Sequence, residues 1–147
     1  MIPYTRHAVT EADIQAVVAV LRSDRLTQGP TVGKLEDALC KVVGCEYAAC
    51  VSSGTAALAL AYLATECRGI ITSPISCMAT PNAALVSNLA VRFEDTDDTH
   101  GLYHPPKYRN DLFINVPVWL AGKASMYNQF SVIDSCQALG HPGLGIA

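Results

Sequence analysis

The sequence predicts an α/β domain in which a parallel β-sheet is covered by helices on both faces, a three-layer architecture. Short apolar runs of strand length alternate with helical segments, and these runs are apolar throughout instead of alternating with polar residues. The chain has 147 residues and a hydrophobic content of 50%, which is enough for one domain with a sizeable core.

The N-terminal region has the pattern of two helices joined by a turn. Thr10 precedes an acidic first turn, and the apolar residues that follow recur at helical spacing, which predicts a capped helix over about residues 11–22. The Gly29-Pro30 pair then breaks the chain before a second amphipathic run that ends at Gly44. We therefore divide the chain into N-terminal helices, residues 1–45, and an α/β core, residues 46–147.

Strands and helices alternate through the core. The run YAACV, from Tyr47 to Val51, predicts a strand, and after Ser52-Ser53-Gly54 a helix opens at Thr55 and extends to about Ala64. Further strands are predicted for GIITSP, VRFEDTD, LFINVPV and FSVIDS, a helix for TPNAALVSNL, and a polar loop for DDTHGLYHPPKYRN.

Composition argues against several classes of protein. The net charge of −3 is scattered along the chain, so no feature favours nucleic acid or an anionic membrane surface. The N-terminus lacks an apolar signal core, and no apolar run approaches the roughly 18 residues of a membrane span, so we expect a soluble cytoplasmic protein. Six dispersed cysteines without a CxxC pair favour reduced thiols over a zinc site or a disulfide framework.

Candidate ligand-binding residues stand where predicted strands end, because parallel α/β sheets bind ligands outside the carboxyl ends of their strands. The segments are Ser52–Thr55, Ser73–Cys77 and Asp134–Gln137. Unpaired N–H groups of the helix that opens at Thr55 favour a phosphate, although plain N-capping of that helix explains the same residues. Asp134 directly follows an apolar run and is expected at the rim of the sheet, where it either meets a cationic partner or caps the next segment.

A phosphate anchor and a carboxylate on one rim fit a ligand that carries both a phosphate and a basic ring nitrogen. Pyridoxal phosphate has both groups, and an aspartate facing its pyridine nitrogen keeps the ring protonated and electron-withdrawing. The glycine fingerprints of Rossmann and P-loop sites are absent from the sequence.

The motifs occur in a recognisable order: IPYTRHAVTEADIQAVVAVLRSDRLTQGPTVGKLEDAL, VSSGTAALALAYLA, ITSPISCMATPNAALV, VRFEDTD, VPVWLAG and VIDSCQALG. This series resembles the DegT/StrS-type sugar aminotransferases, which are fold-type-I pyridoxal phosphate enzymes. The opening MIPY, with LTQGP, is most similar to the branch that aminates 4-keto nucleotide sugars in pseudaminic acid-type pathways. The resemblance covers nearly all of the chain and only the first part of such an enzyme.

The resemblance implies a role for each candidate residue. Thr55 and the backbone amide of Ala56 would contact the cofactor phosphate, Asp134 would pair with the pyridine nitrogen, and Gln137 would lie beside the ring hydroxyl. Cys77 stands where the family usually has an aromatic side chain stacked on the ring. A thiol covers less of the ring, so weaker cofactor binding is expected.

Other family features match nothing in the sequence. Trp119, where the family often has His, is expected to pack in the core. None of the four lysines, Lys34, Lys41, Lys107 and Lys123, matches the family's Schiff-base lysine, and the C-terminal small domain is absent. We therefore expect the chain alone to be inactive as an aminotransferase, and the YAACV strand to lack its neighbour.

Three functional hypotheses remain open at this stage. The chain is the N-terminal part of a sugar aminotransferase completed by a second polypeptide, a noncatalytic remnant that binds a phosphate-bearing ligand or a partner, or a generic nucleotide-binding α/β domain. For the first, the resemblance implies a nucleotide-sugar substrate, glutamate as the usual amino donor, and a homodimer.

Overall fold

The computed structural model describes residues 6–96, 112–124 and 132–139. The predicted loop at residues 97–110 and the segment after residue 139 lie outside these ranges, as does the start of FSVIDS. The described residues form four α-helices, α1 to α4, and three strands, β1 to β3, numbered in chain order.

The first two helices confirm the helix-turn-helix prediction. Helix α1 spans Glu11–Leu21 and begins with a capping box, in which Thr10 and Asp13 exchange side-chain to backbone hydrogen bonds. The bond from the Thr10 backbone N–H lowers the pKa of the Asp13 carboxyl. Helix α2 spans Pro30–Val43 and ends at Gly44, whose φ of 76° gives the left-handed cap that glycine adopts without a Cβ clash.

Two further helices pack against each other beside the sheet. Helix α3 spans Gly54–Ala64, a run of alanine and leucine with high helix propensity, and helix α4 spans Ala79–Val86. Both contribute buried side chains, whereas α1 and α2 bury none.

The sheet has three parallel strands in the order β2-β1-β3, which confirms the α/β prediction. Strand β1 spans Gly69–Thr72, β2 spans Ala90–Phe93 and β3 spans Phe113–Val116. Gly69 is level with both Ala90 and Phe113, so the carboxyl ends of β1 and its two neighbours lie at one edge of the sheet.

The main core lies between one face of the sheet and helices α3 and α4. Alternate residues of the strands point to this face, and they meet the buried side chains of both helices. The buried residues of this cluster are Leu58, Tyr62, Ile70, Ala83, Ala84, Val116 and Val132.

A glycine and an aromatic ring shape the opposite face of the sheet. A Cβ on Gly69 would collide with the ring of Phe113 and lie 2.7 Å from the carbonyl oxygen of Ala90. The guanidinium carbon of Arg92 lies 4.4 Å from the centroid of the same ring, a cation–π contact across the central strand. Only glycine at position 69 therefore lets the ring of Phe113 cross β1.

A second, smaller core cluster joins the two segments that follow β3. Trp119 and Ala138, each 4% exposed, are its buried members, and Val43 at the end of α2 packs against them. The prediction that Trp119 serves core packing is confirmed.

Two predicted strands differ in the structure. Residues 47–51 form no strand, because a strand needs a hydrogen-bonded neighbour and the described residues supply none here. The described part of FSVIDS forms only a single parallel bridge, between Val118 and Asp134. The strand prediction was wrong for residues 47–51 and for the described part of FSVIDS, because an apolar run does not identify a pairing partner.

Candidate functional site

The amino end of α3 follows directly from its sequence. Ser53 has an extended backbone and is the N-cap, and its hydroxyl accepts a hydrogen bond of 3.2 Å from the Ala56 N–H. Capping is thus one function of the serine turn. The amides of Gly54 and Thr55 belong to the first turn, where helix geometry provides no intrahelical acceptor, and the Thr55 side chain is exposed.

Asp134 is a buried acidic residue at the carboxyl edge of the sheet. It is 5% exposed, and backbone hydrogen bonds with Pro117 and Trp119 hold its segment beside the chain that leaves β3. The Thr80 hydroxyl donates to Oδ2 at 2.6 Å, and the Cys136 N–H donates to Oδ1 at 3.3 Å. These donors leave the two carboxylate oxygens with capacity for further hydrogen bonds.

Thr80 connects this carboxylate to the main core. It is completely buried in the first turn of α4, and its carbonyl oxygen accepts a hydrogen bond of 3.3 Å from the Tyr62 hydroxyl. Burial, and next the negative charge of Asp134, raise the pKa of Tyr62 well above its ordinary value. The Tyr62 hydroxyl of α3 therefore helps to hold Thr80 in place, and Thr80 in turn holds the Asp134 carboxylate.

Cys136 places the Asp134 segment against α3. A Cβ on Gly54 would lie 3.0 Å from the Cys136 sulfur, so the thiol sits directly at the amino end of that helix. Although Cys136 is exposed at the surface, partial desolvation and then the hydrogen bond and charge of Asp134 raise the pKa of its thiol to about 11. The thiol therefore stays neutral at physiological pH.

Cys77 lies on the same rim, just before α4. Its side chain is exposed, and its carbonyl oxygen accepts a hydrogen bond of 3.1 Å from the Thr80 N–H. It is near enough to Cys136 to contribute, as the smallest cause, to raising the pKa of that thiol. Cys77 and Cys136 therefore belong to one group of side chains.

Gln137 is exposed beyond Cys136, and its side chain makes a specific contact. The Oε1 atom accepts a hydrogen bond of 2.9 Å from the backbone N–H of Ala121. Ala121 lies in the short 3₁₀ turn Leu120–Gly122 with a φ of 53°, a left-handed conformation that is costly for alanine.

The structure thus brings the predicted residues to one edge of the sheet. Helix α3, which carries Thr55 and Ala56, contacts Cys136 through Gly54. Thr80 hydrogen-bonds to both Asp134 and Cys77. Gln137 lies on the same segment as Asp134 and Cys136. Sequence reasoning missed Thr80, Tyr62 and Ala121, and it included Cys136 only as a member of the segment Asp134–Gln137. For Thr80, the one signal in the sequence was its position at the start of the predicted helix TPNAALVSNL, shortly after a strand end.

Other features of the described residues lie apart from this edge. A shallow depression between α1 and α2 is lined by Ser23, Asp24, Arg25, Gln28, Gly29, Pro30 and Gly33, and it contains none of the candidate residues. Within the described ranges no group of three or more His, Cys, Asp or Glu side chains could hold a metal ion. No helix in that part of the chain is both long and apolar enough to cross a membrane.

Solved structures place this fold in the class of sugar aminotransferases. PseC of Helicobacter pylori, an aminotransferase involved in the biosynthesis of pseudaminic acid, superposes with a TM-score of 0.74 at 31% identity, over 84% of this chain and 36% of PseC. The PLP form of Spr1654 of Streptococcus pneumoniae, a sugar aminotransferase by its description, gives a TM-score of 0.75 at 25% identity, over 85% of this chain and 34% of that protein. This partial coverage is consistent with the predicted incomplete domain.

The chain belongs to the DegT/DnrJ/EryC1/StrS aminotransferase family, whose sequence profile matches residues 7–111. Aminotransferases of this family depend on pyridoxal phosphate, and the Spr1654 structures include both its pyridoxal and its pyridoxamine forms.

Two relatives have names that refer to sugar or polysaccharide biosynthesis. The UDP-4-amino-4,6-dideoxy-N-acetyl-beta-L-altrosamine transaminase of Campylobacter jejuni is 37% identical over 97 residues, which are 65% of this chain and 26% of that protein. The spore coat polysaccharide biosynthesis protein SpsC of Bacillus subtilis is 33% identical over 103 residues, 66% of this chain and 26% of SpsC. The matched region thus spans about a quarter of the length of these relatives.

Proposed function

We propose that this chain is the cofactor-binding N-terminal part of a pyridoxal phosphate-dependent aminotransferase that acts on a 4-keto nucleotide sugar. The observation that carries the proposal is the buried Asp134 carboxylate, held by the Thr80 hydroxyl at 2.6 Å and joined through Cys136 to the amino end of α3. A buried carboxylate beside an open helix N-terminus complements a ligand with a basic ring nitrogen and a phosphate.

The amino end of α3 is the proposed phosphate site. The Thr55 hydroxyl and the first-turn amides are the donors, and the partial positive charge of the helix end favours an anion there. The Ala56 N–H joins them only if it exchanges the Ser53 hydroxyl, its present partner at 3.2 Å, for a phosphate oxygen. Without a ligand, the Ser53 hydroxyl therefore occupies the place of a phosphate oxygen as acceptor of the Ala56 N–H.

Asp134 is the proposed partner of the ring nitrogen. When bound, pyridoxal phosphate supplies an electron-withdrawing ring, and protonation of its nitrogen strengthens that withdrawal. Asp134 would hold the proton on that nitrogen, while the donors on Oδ1 and Oδ2 fix the orientation of its carboxylate. Gln137 would bind the ring hydroxyl from the same segment.

Cys77 is the proposed side chain against the ring face. It is exposed, and it precedes the helix whose Thr80 hydroxyl holds Asp134. A thiol forms fewer dispersion contacts with a ring than an aromatic side chain would, so we expect lower cofactor affinity than an aromatic at position 77 would give.

The relatives support the proposed substrate class, and the family resemblance implies the proposed assembly. The Campylobacter jejuni relative is named as a transaminase of an amino-dideoxy sugar linked to UDP, and PseC is described as an aminotransferase of pseudaminic acid biosynthesis. We propose a nucleotide-sugar substrate of this kind, glutamate as amino donor, a homodimer, and a cytoplasmic location. In domain terms, we propose that residues 1–45 and 46–147 are the helical and α/β parts of one partial large domain.

Transamination also requires a lysine that forms the Schiff base with the cofactor and transfers a proton. Among the described lysines, Lys34 lies on the first half of α2, Lys41 on its last turn, and Lys123 after the Leu120–Gly122 turn. Since none matches the family's Schiff-base lysine, we propose that turnover depends on a polypeptide segment outside these 147 residues. The chain alone is expected to bind the cofactor without transaminating.

The direct test is a titration of the purified chain with pyridoxal phosphate, followed by visible absorbance and equilibrium dialysis. We expect saturable binding that is weakened at least tenfold by Asp134→Asn, since the amide cannot carry the charge that pairs with the ring nitrogen. Asp37→Asn is the matched control, because Asp37 is an exposed residue of α2 away from the sheet.

Equal affinities of the wild type and Asp134→Asn would contradict the proposal. Borohydride reduction of the mixture, with mass analysis, checks the lysine: a stable adduct on a single lysine would show that the chain carries its own Schiff-base residue.

The replacement at position 77 supports one other function, a noncatalytic module that binds phosphate-bearing ligands. Cys77 offers no ring to stack on a cofactor, while the amino end of α3 is unaffected by that change. Inorganic phosphate that binds as tightly as pyridoxal phosphate would favour this module over the aminotransferase part.

A further inference from the structure

We infer that the turn Leu120–Gly122 is a positioning element, which uses the backbone N–H of Ala121 to fix the Gln137 side chain with its NH₂ group directed at the bound ring. This inference rests on the proposed function, because it assigns to that site an element that the sequence did not single out. The role of Ala121 is to position Gln137 and not to touch the cofactor.

The hydrogen bond with Ala121 identifies the two ends of the Gln137 side-chain amide. A backbone N–H can only donate, so the group that accepts from Ala121 at 2.9 Å has to be the carbonyl oxygen of the Gln137 side chain. That bond removes the ambiguity between the two ends of an amide and leaves the NH₂ group to donate elsewhere. A donor is the group required beside a ring hydroxyl that has lost its proton.

The turn Leu120–Gly122 has a strained backbone at Ala121. Ala121 has φ 53° and ψ 33°, a left-handed conformation in which the alanine Cβ is crowded by the backbone. Strain of this kind persists only where the surroundings fix it, and it concentrates at functional sites. Its neighbour Gly122 has a φ of 77° that glycine tolerates, so the strain in this turn falls on Ala121.

A shared core cluster holds the segments of Ala121 and Gln137 together. Trp119 precedes the turn and Ala138 follows Gln137, and these two residues are the buried members of one core cluster. The backbone N–H of Trp119 also donates to the backbone carbonyl oxygen of Asp134 at 2.9 Å. Both ends of the Ala121–Gln137 hydrogen bond are therefore anchored to the segment that carries Asp134.

The alternative is that the turn is merely structural, and two substitutions separate the two roles. Gln137→Glu keeps an oxygen that can accept from Ala121 but replaces the NH₂ donor by an acceptor. Gln137→Leu removes both functions at nearly constant size. Ala121→Val keeps the N–H but adds a β-branch, which disfavours the left-handed conformation and displaces the turn.

The first measurement is amide hydrogen exchange at Ala121, which does not depend on any cofactor. We expect exchange to be about tenfold faster in Gln137→Leu than in the wild type, the loss of roughly one hydrogen bond, and near the wild-type rate in Gln137→Glu. Unchanged exchange in Gln137→Leu would overturn the inference, because the bond would then be absent in solution.

The second measurement is the affinity for pyridoxal phosphate together with the pH dependence of its visible band. We expect Gln137→Glu, Gln137→Leu and Ala121→Val all to weaken binding and to shift the band's pH midpoint upwards. We also expect the double variant Ala121→Val/Gln137→Leu to bind no more weakly than Gln137→Leu alone. Additive losses in the double variant would show that the turn acts independently of Gln137 and would overturn the inference.

The two proposals fail differently in these experiments. If the wild-type chain binds no pyridoxal phosphate, the proposed function fails and the cofactor-directed role of the turn fails with it, while hydrogen exchange still decides whether the turn fixes Gln137. If the wild type binds and the Gln137 and Ala121 variants bind equally well, only the positioning role is overturned.

Discussion

At the scale of single residues, the Thr80 hydroxyl determines how the Asp134 carboxylate is held. Thr80→Val is nearly isosteric but removes the donor at 2.6 Å and leaves a buried carboxylate oxygen without its partner. We expect a loss of about 2 kcal/mol in the free energy of unfolding, measured by urea denaturation. Thr80→Ser, the matched control, keeps the hydroxyl and loses one buried methyl group, about 1 kcal/mol.

The same pair of variants distinguishes a functional from a purely structural role. Pyridoxal phosphate affinity should fall in Thr80→Val and recover in Thr80→Ser, because only the hydroxyl orients the carboxylate. A valine variant as stable as the serine variant, with the same affinity, would contradict the importance of this hydrogen bond.

A second residue-scale prediction concerns pH and Cys136. Its pKa is raised from the ordinary value of 9.0 to about 11, so the folded state favours the neutral thiol. The contribution of this group to stability is therefore fully present below pH 9 and is lost as the pH rises through about 11. Alkylation by iodoacetamide, located by peptide mass analysis, is expected to be slow at Cys136 at neutral pH.

Asp134→Asn provides the check on that assignment. Loss of the neighbouring negative charge lowers the pKa of the Cys136 thiol, so alkylation at pH 8 should accelerate several-fold in this variant. A short cysteine-containing peptide added to the same sample serves as the reference. An unchanged ratio of the two alkylation rates would count against the raised thiol pKa.

At the scale of elements, the N-cap of α3 connects helix stability to ligand binding. Ser53→Ala removes the acceptor of the Ala56 N–H and is expected to lower the free energy of unfolding by about 1 kcal/mol. Ser52→Ala is the matched control, since Ser52 is exposed and precedes the cap. If phosphate takes the place of the serine hydroxyl, saturating ligand should reduce the Ser53→Ala defect; an undiminished defect would place the phosphate elsewhere.

Strand β1 depends on a glycine at its first position. Gly69→Ala would press a Cβ against the Phe113 ring and the Ala90 carbonyl oxygen, and we expect a loss of about 2–3 kcal/mol, read from chemical denaturation. Gly33→Ala is the control and is expected to stabilise the protein. A Cβ at position 33 meets no atom within 4 Å, and alanine is more favourable than glycine inside a helix such as α2. Equal stability of the two variants would contradict the described packing of Phe113 across β1.

At the scale of the whole molecule, the sequence predicts those parts of the fold that local signals determine. The capping pattern at Thr10, the glycine at position 44 and the apolar runs of β1 to β3 placed the helices and the sheet. The strand predicted at residues 47–51 does not form, because a strand depends on a neighbour; the apolar run alone did not show that none is present in the described part of the chain, whereas the family resemblance implied it.

In the candidate site, too, local sequence signals predicted some features, while others depend on residues far apart in the chain. Strand ends followed by polar residues located its edge, but the Thr80–Asp134 contact joins residues 54 positions apart, and no short motif encodes such a distance. The left-handed Ala121 was equally hidden, because alanine carries no local preference for that conformation. Roles of Thr55, Ala56, Cys77, Asp134 and Gln137 in cofactor binding remain predictions for the titration to decide.

The absence of buried residues in α1 has a consequence for how the molecule comes apart. Ile14, Val17 and Leu21 of this helix are 46%, 60% and 64% exposed, so little apolar contact opposes its separation from the rest of the chain. Elements of this kind open at a small fraction of the free energy that global unfolding requires. Brief treatment with trypsin should therefore cut first after the exposed Arg22 or Arg25, releasing α1 while the sheet and its edge stay intact.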